Sequence, residues 1–247
     1  MENKGLFIGT SGWSYADWSG LFYPKEVKAD DFLPFYAQHF DTVELNNSFY
    51  KLPSVKNVRR WYELTPSNFI FSCKANRYIT HMKKLQGIEK SVDSLLTVLN
   101  EFREKLGPIL FQFPPYWHYN SARLKSFIEN LPKNFNYTFE FRDKSWFCQE
   151  TYDLLHSHQM SLCLYDYRGY QSPEIITGNF VYLRLHGPRK EAYTGSYKAQ
   201  TLAEYAQKIM KWRKEGKSVY CYFDNDTKSC APKDAIHLEE KVSRLLK

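Results

Sequence analysis

Six strand-like runs in this sequence carry charged or amide side chains where a buried strand would ordinarily be apolar, and these residues define the available chemistry. Glu44 and Asn46 alternate with Val43 and Leu45, and Glu140 and Arg142 with Phe139 and Phe141. Arg184 and His186 alternate with Leu183 and Leu185. Ser72 and Lys74, Gln112, and Asp166 fall at similar positions in three further runs. Glu44 and Glu140 could work as an acid and base, as in glycoside hydrolysis, where carboxylate separation sets the stereochemistry. Lys74 could form a Schiff base if burial lowers its pKa. Glu44, Glu140, Asp166 and His186 could hold a divalent metal, but Arg184 and Lys74 compete for the same carboxylates, so no metal is expected. Ser11 and Ser48 follow strand-like runs without a nucleophile-elbow sequence. A structural reading stands beside all of these: Glu140 with Arg184, or Glu44 with Lys74, as buried ion pairs that only brace the fold.

The elements that must position these groups follow one pattern, a short β-branched or aromatic run followed by a helical pattern, the signature of βαβ units and a parallel sheet. The runs are Leu6 to Thr10, Thr42 to Asn46, Phe69 to Lys74, Ile109 to Phe113, Tyr137 to Arg142, Ser161 to Asp166, Phe180 to His186 and Val219 to Phe223. Among the helices, Val92, Leu95, Leu96, Leu99 and Phe102 share one face, and Leu124, Phe127, Ile128 and Leu131 repeat the spacing. Thr201 to Glu204 reads as a capping box opening a helix that buries Tyr205, Ile209 and Trp212, and Leu238, Val242 and Leu245 mark the last helix. Eight runs in 247 residues predict an α/β fold, a (β/α)8 TIM barrel in a single domain spanning residues 1–247. The connection from Tyr167 to Asn179, with Gly169, Pro173 and Gly178, has no helical pattern and predicts a degenerate sixth helix. An open dinucleotide-binding sheet would need a glycine-rich first turn, and Ser11-Gly12-Trp13-Ser14-Tyr15 is crowded with aromatic groups instead.

In a barrel the helix layer demands the apolar set of each strand, so the polar set points inward, toward the carboxyl ends where barrels do chemistry. Glu44, Glu140, Arg184 and His186 are therefore expected to converge in one pocket. Lys74, Arg142 and Arg184 are read as orienting a substrate, with Asn46, Gln112 and Asp166 as further contacts. The long loops after strands carry Trp13, Tyr15, Trp18, Tyr78, His81, Tyr193 and Tyr197, most of which are expected to pack those loops onto the mouth. Trp13, Tyr15 and His81 are retained as candidate substrate contacts.

Composition narrows the function classes. With 43% hydrophobic and 25% charged residues, disorder is excluded, and no run of eighteen apolar residues offers a membrane span. Five cysteines at wide spacings read as buried thiols rather than a disulfide framework or a structural zinc site. Met1 to Gly5 lack the basic start and apolar stretch of a secretory leader, so a cytoplasmic location is expected. Net charge of +7 favours an anionic partner, but the basic residues are spread along the chain rather than gathered in a patch. No cofactor is named by the pattern.

Taken together, Gly9-Thr-Ser-Gly-Trp13, Phe22-Tyr-Pro24, Val43-Glu-Leu-Asn46, Ser48-Phe-Tyr50, Ile79-Thr-His81, Leu106-Gly-Pro108, Gln112-Phe-Pro-Pro115, Glu140-Phe-Arg142, Arg184-Leu-His-Gly187 and Tyr222-Phe-Asp-Asn225 closely resemble the YecE-like proteins, domain of unknown function seventy-two. The resemblance covers nearly the whole chain. It implies a TIM barrel with a polar mouth, without implying a reaction, and adds Asn225 to the candidate substrate contacts. The functional expectation is a hydrolase-like enzyme in which Glu44, Glu140, His186 and Lys74 do the chemistry on a small anionic or polar molecule. The alternative is a nucleic-acid-binding protein, with or without nuclease activity, using the basic excess and exposed loop aromatics.

Overall fold

Alternation at period two and helical stripes at period 3.6 resolve into nine strands and eight α-helices in the computed structural model, which describes residues 5–246. Met1 to Lys4, on which most of the leader reading rests, lie outside them. The strands are β1 (Leu6–Ser11), β2 (Thr42–Leu45), β3 (Ile70–Lys74), β4 (Leu106–Phe113), β5 (Tyr137–Phe141), β6 (Ser161–Tyr167), β7 (Tyr170–Gln171), β8 (Phe180–Leu185) and β9 (Ser218–Phe223). The helices are α1 (Phe32–Tyr36), α2 (Asn47–Tyr50), α3 (Val55–Glu63), α4 (Glu89–Leu99), α5 (Ser121–Glu129), α6 (Gln149–Ser157), α7 (Ala199–Lys214) and α8 (Cys230–Leu245). All strands except β7 pair in parallel, and pairing of β1 with β9 and of β5 with β6 closes the sheet into an eight-stranded barrel.

β7 folds back antiparallel on the end of β6, pairing Asp166 with Gln171, and no helix intervenes before β8. The missing sixth helix is thus replaced by a two-residue hairpin strand. The expected capping box is corrected: α7 begins at Ala199, after Lys198, so Thr201 sits inside the first turn. The chain arrives there already pinned, because Tyr197 N donates to Asp234 Oδ2 at 3.0 Å and the Tyr197 hydroxyl accepts from Gly187 N at 3.0 Å. In α8 Leu238 and Val242 are buried, whereas Leu245 is exposed at the helix end.

Two apolar layers hold this frame. The larger lies between barrel and helices and takes the outward residues of every strand, such as Val43, Leu45, Phe139 and Phe141. The smaller fills the barrel interior with Leu110, Cys163, Phe180, Tyr182 and Tyr222. There the Tyr222 hydroxyl sits 2.7 Å from both Ser72 Oγ and Thr42 Oγ1, filling the barrel beneath the mouth.

Candidate active site

The floor of the mouth is built around Arg184, which β8 points inward one step above Tyr182. Its Nε donates to Glu44 Oε2 at 2.9 Å and its Nη2 to Glu44 Oε1 at 2.8 Å, a fork on one carboxylate. Nη1 donates to Glu140 Oε2 at 2.9 Å, and Nη2 also to Asp224 Oδ2 at 3.0 Å and Ser11 Oγ at 3.2 Å. The carboxylates are equally occupied. Glu44 accepts from the Ser11 hydroxyl and from the Tyr182 hydroxyl at 2.7 Å, and Glu140 from Gln112 Nε2 at 2.8 Å and from Arg142 Nε. Burial alone would push the Glu140 carboxyl up, but Arg142 and Arg184 outweigh it and hold the group well below the ordinary range. Arg184, likewise disfavoured as a cation by burial, is held charged by Glu44, Glu140 and Asp224.

His186 completes the floor. Burial, reinforced by Arg184 and Arg142, lowers its pKa to about 4, so the ring is neutral at pH 7. Arg142 Nη2 lies 2.9 Å from His186 Nε2, and a guanidinium only donates, so Nε2 accepts and the ring proton resides on Nδ1. Nδ1 is 2.8 Å from Asp224 Oδ2, a close contact that falls outside hydrogen-bond alignment. The Arg142 guanidinium lies over the Tyr167 ring at 4.0 Å, which fixes it from the other side.

Above the floor opens a cleft of about 240 Å³ lined by Tyr15, Asn46, Phe49, Tyr50, Lys74, Tyr193, Asp224 and Asp226. Two of its ionisable groups, Lys74 and Asp226, stand outside the ion pairs of the floor. Among the described residues no carboxylate lies within ion-pair distance of Lys74 Nζ, which sits 4.0 Å above the Phe49 ring. Helix α2 supplies that ring directly after β2, and the Ser48 hydroxyl anchors the turn by donating to the Lys74 carbonyl at 2.7 Å. Burial, then Arg184, lowers the Lys74 pKa to about 8 against the opposing pull of Glu140, Asp224 and Glu44. Asp226 shifts the other way: burial and the neighbouring Asp224 raise it to about 9, making it a carboxylic acid at neutral pH. Asp226 Oδ1 and Asn46 Oδ1 are buried without hydrogen-bond partners among the described residues. The Tyr15 hydroxyl, donating to the Ser11 carbonyl at 2.6 Å, stands beside Asp226.

A family model described as "Protein of unknown function DUF72" matches residues 7–246. The chain belongs to the DUF72 family. It is 26% identical over 255 aligned residues to the UPF0759 protein YunF of Bacillus subtilis, covering 90% of this chain and 89% of that one. It is 30% identical over 145 residues to the UPF0759 protein YecE of Escherichia coli, a match that spans 58% of this chain and about half, 51%, of that protein. Among solved structures, a DUF72 family protein from Thermotoga maritima superposes with a TM-score of 0.87 at 26% identity, covering 96% of this chain and 99% of the other. A DUF72 family protein from Enterococcus faecalis shares the fold with a TM-score of 0.82 at 20% identity, covering 96% and 95%.

In this DUF72 protein the expected set divides in three. Glu44, Glu140, Arg142, Arg184 and His186 do converge at the carboxyl end, with Gln112 bonded to Glu140. Arg184 is only 1% exposed and its N–H groups are engaged with the carboxylates, Ser11 and His186. Glu44 and Glu140, expected to move protons, are both fully buried, and their oxygens accept from arginines, hydroxyls and the Gln112 amide. Lys74, Asn46 and Tyr15 line the cleft as expected.

The third group lies elsewhere. Asp166 faces the helix layer, where burial raises its pKa against contacts from Gln171, Tyr197 and Tyr205. Its strand places Cys163 inside the barrel and Leu162 and Leu164 outside, so Asp166 has the outward parity. Asn225 Nδ2 donates to Gly195 O and Asp234 Oδ2, both at 2.8 Å, tying a loop to α8 rather than meeting a ligand. Trp13 is buried edge-on against Trp61, with ring centroids 5.3 Å apart. His81 stands at the rim, edge-on to Phe49 at 5.0 Å and paired with Thr80, its pKa lowered to about 4 by burial, then Lys74 and Arg77. Asp224 and Asp226 were not anticipated. Extending the alternation of Tyr220 and Tyr222 by one step reaches Asp224, the signal that would have found it.

Proposed function

We propose that this protein is an enzyme that moves protons on a small polar molecule held in the cleft above the Arg184 floor. The supporting observation is the contrast within one small space: an unpaired lysine, an acid protonated at neutral pH and an ionised Asp224, all at the carboxyl end of a barrel. Asp226 is the proton donor. Lys74 meets the substrate's anionic or carbonyl oxygen, and Asn46 and Tyr15 orient it. Glu44, Glu140, Arg142, Arg184 and His186 hold Asp224 in place and fix the field in which Lys74 and Asp226 sit. The hydrolase-like reading of the sequence keeps its carboxylate chemistry here but transfers it from Glu44 and Glu140 to the two aspartates. Crystals soaked in a mixture of small sugars, hydroxy acids, keto acids and sugar phosphates test the reading. Density bridging Lys74 and Asp226 supports it, whereas a cleft that stays empty, or occupancy only elsewhere, contradicts it.

A second reading, nucleic-acid binding, rests on Tyr50, Tyr78, Tyr116 and Tyr193, exposed on loops or a short helix that follow strands and so on the mouth face. Such rings can stack bases. Affinity for mixed oligonucleotides that falls steeply with salt, and falls again on Tyr50→Ala with Tyr116→Ala, would favour it over the enzyme.

A further inference from the structure

We infer that Lys74 is a nucleophile that binds carbonyl compounds covalently, as a Schiff base, with Asp226 supplying and recovering the proton. The inference deepens the reading of the cleft as an acid–base site and rests on it. Three observations carry it. Lys74 is 8% exposed, yet no carboxylate among the described residues is close enough to pair with its Nζ, although acidic residues stand all around the mouth. A lysine kept only for charge would be expected to sit against one of them. Its Nζ lies instead 4.0 Å over the Phe49 ring, a contact that engages the ammonium but occupies no lone pair, so the amine is free to react when deprotonated. Third, Asp226 opens onto the same cleft with one buried carboxyl oxygen, Oδ1, that has no hydrogen-bond partner among the described residues.

The surroundings favour the neutral amine. Burial and Arg184 oppose the charge on Lys74, while Glu140, Asp224 and Glu44 support it, and the balance leaves a pKa of about 8. About a tenth of the side chain is therefore uncharged at pH 7, against fewer than one in a thousand for a free lysine. The step balances without a further reagent. The Nζ lone pair attacks the carbonyl carbon while the carbonyl oxygen takes the Asp226 proton, giving a carbinolamine. The nitrogen returns a proton to Asp226, which then protonates the hydroxyl. Water leaves, the C=N bond forms, and the iminium cation remains beside the Asp226 carboxylate. With a cleft of about 240 Å³, the compounds that fit are small aldehydes, ketones and keto acids.

Trapping with sodium cyanoborohydride tests this, using glycolaldehyde, dihydroxyacetone and pyruvate as separate probes on the full chain and mapping the adduct by peptide mass spectrometry. The expected result is an adduct on Lys74 at least tenfold above any surface lysine with one or more probes, forming faster as the pH rises through about 8. It should be lost in Lys74→Arg, which keeps the charge, and reduced at least tenfold in Asp226→Asn. Folding of each variant is checked by circular dichroism. Adducts spread evenly over surface lysines, or a Lys74 no more reactive than they are, would overturn the inference. The same probes soaked into crystals without reductant separate this failure from failure of the acid–base reading. Non-covalent density between Lys74 and Asp226 leaves that reading standing while the Schiff base falls.

Discussion

The floor and the cleft of the mouth lie against each other and use the same residue types, yet they have opposite electrostatic character. On the floor, Arg184 meets Glu44, Glu140 and Asp224, and its guanidinium donors all find acceptors. In the cleft, Lys74 has no acidic partner among the described residues and Asp226 sheds its charge by keeping its proton. Buried charges that pair are scaffolding, because their mutual attraction offsets desolvation, whereas buried groups that resolve the same penalty by changing protonation remain available for chemistry. Both behaviours come from one arrangement, since Asp224 belongs to the floor through Arg184 and raises Asp226 in the cleft.

The comparison predicts stability changes of opposite sign. Arg184→Met leaves three acidic side chains without their guanidinium and should lose about 3–5 kcal/mol in urea unfolding, or prevent folding. An unchanged midpoint would show that the floor is not held by this residue. Asp226→Asn should do the reverse. An acid whose pKa is raised from 3.8 to about 9 contributes stability fully below pH 3.8 and loses it as the pH climbs toward 9. At pH 7 the wild type carries that penalty and the amide does not, so the variant should gain about 2–4 kcal/mol, with the gain shrinking below pH 5.

A smaller effect separates the floor from the cleft by pH. His186, lowered from 6.5 to about 4, binds its proton more readily when unfolded, so its contribution is intact above pH 6.5 and is lost as the pH falls toward 4. The loss is about 2–3 kcal/mol, and His186→Gln should flatten that limb of the stability curve. Smallest is Lys74→Met, which removes a desolvated cation but also its contact with Phe49 and should stabilise by about 1–2 kcal/mol at pH 7. A destabilised Lys74→Met would mean that this lysine braces the fold.

How much of this was legible in the sequence depended on contrast between strand faces. In β2, β5 and β8 apolar and polar residues alternate cleanly, so Glu44, Glu140 and Arg184 could be placed inside from spacing alone. In β6 both faces are apolar, with Cys163 and Tyr165 on one side and Leu162 and Leu164 on the other. The parity was then undefined, and Asp166 was assigned to the mouth only because it ends the strand. Asp224 was missed by a single step: the inward parity of Tyr222 continues to Asp224, while Asn225, named from the resemblance, turns toward Asp234. Whether inward charges pair with one another or remain free was not readable, because it depends on three-dimensional distances such as the 2.8–3.0 Å fork of Arg184. The π-helical turn Tyr78–Met82 and the hairpin strand β7 escaped for a similar reason, since their backbone follows barrel closure rather than periodicity.

The division between a closed floor and an open cleft is tested most directly by following the side-chain carboxyl carbons of Asp226, Asp224 and Glu140 by ¹³C NMR across pH 3 to 10. The account predicts that Asp226 stays protonated at pH 7 and titrates near 9, while Asp224 and Glu140 remain ionised below the ordinary carboxylate range. An Asp226 already ionised at pH 6, or a Glu140 that takes up its proton above pH 5, would contradict it.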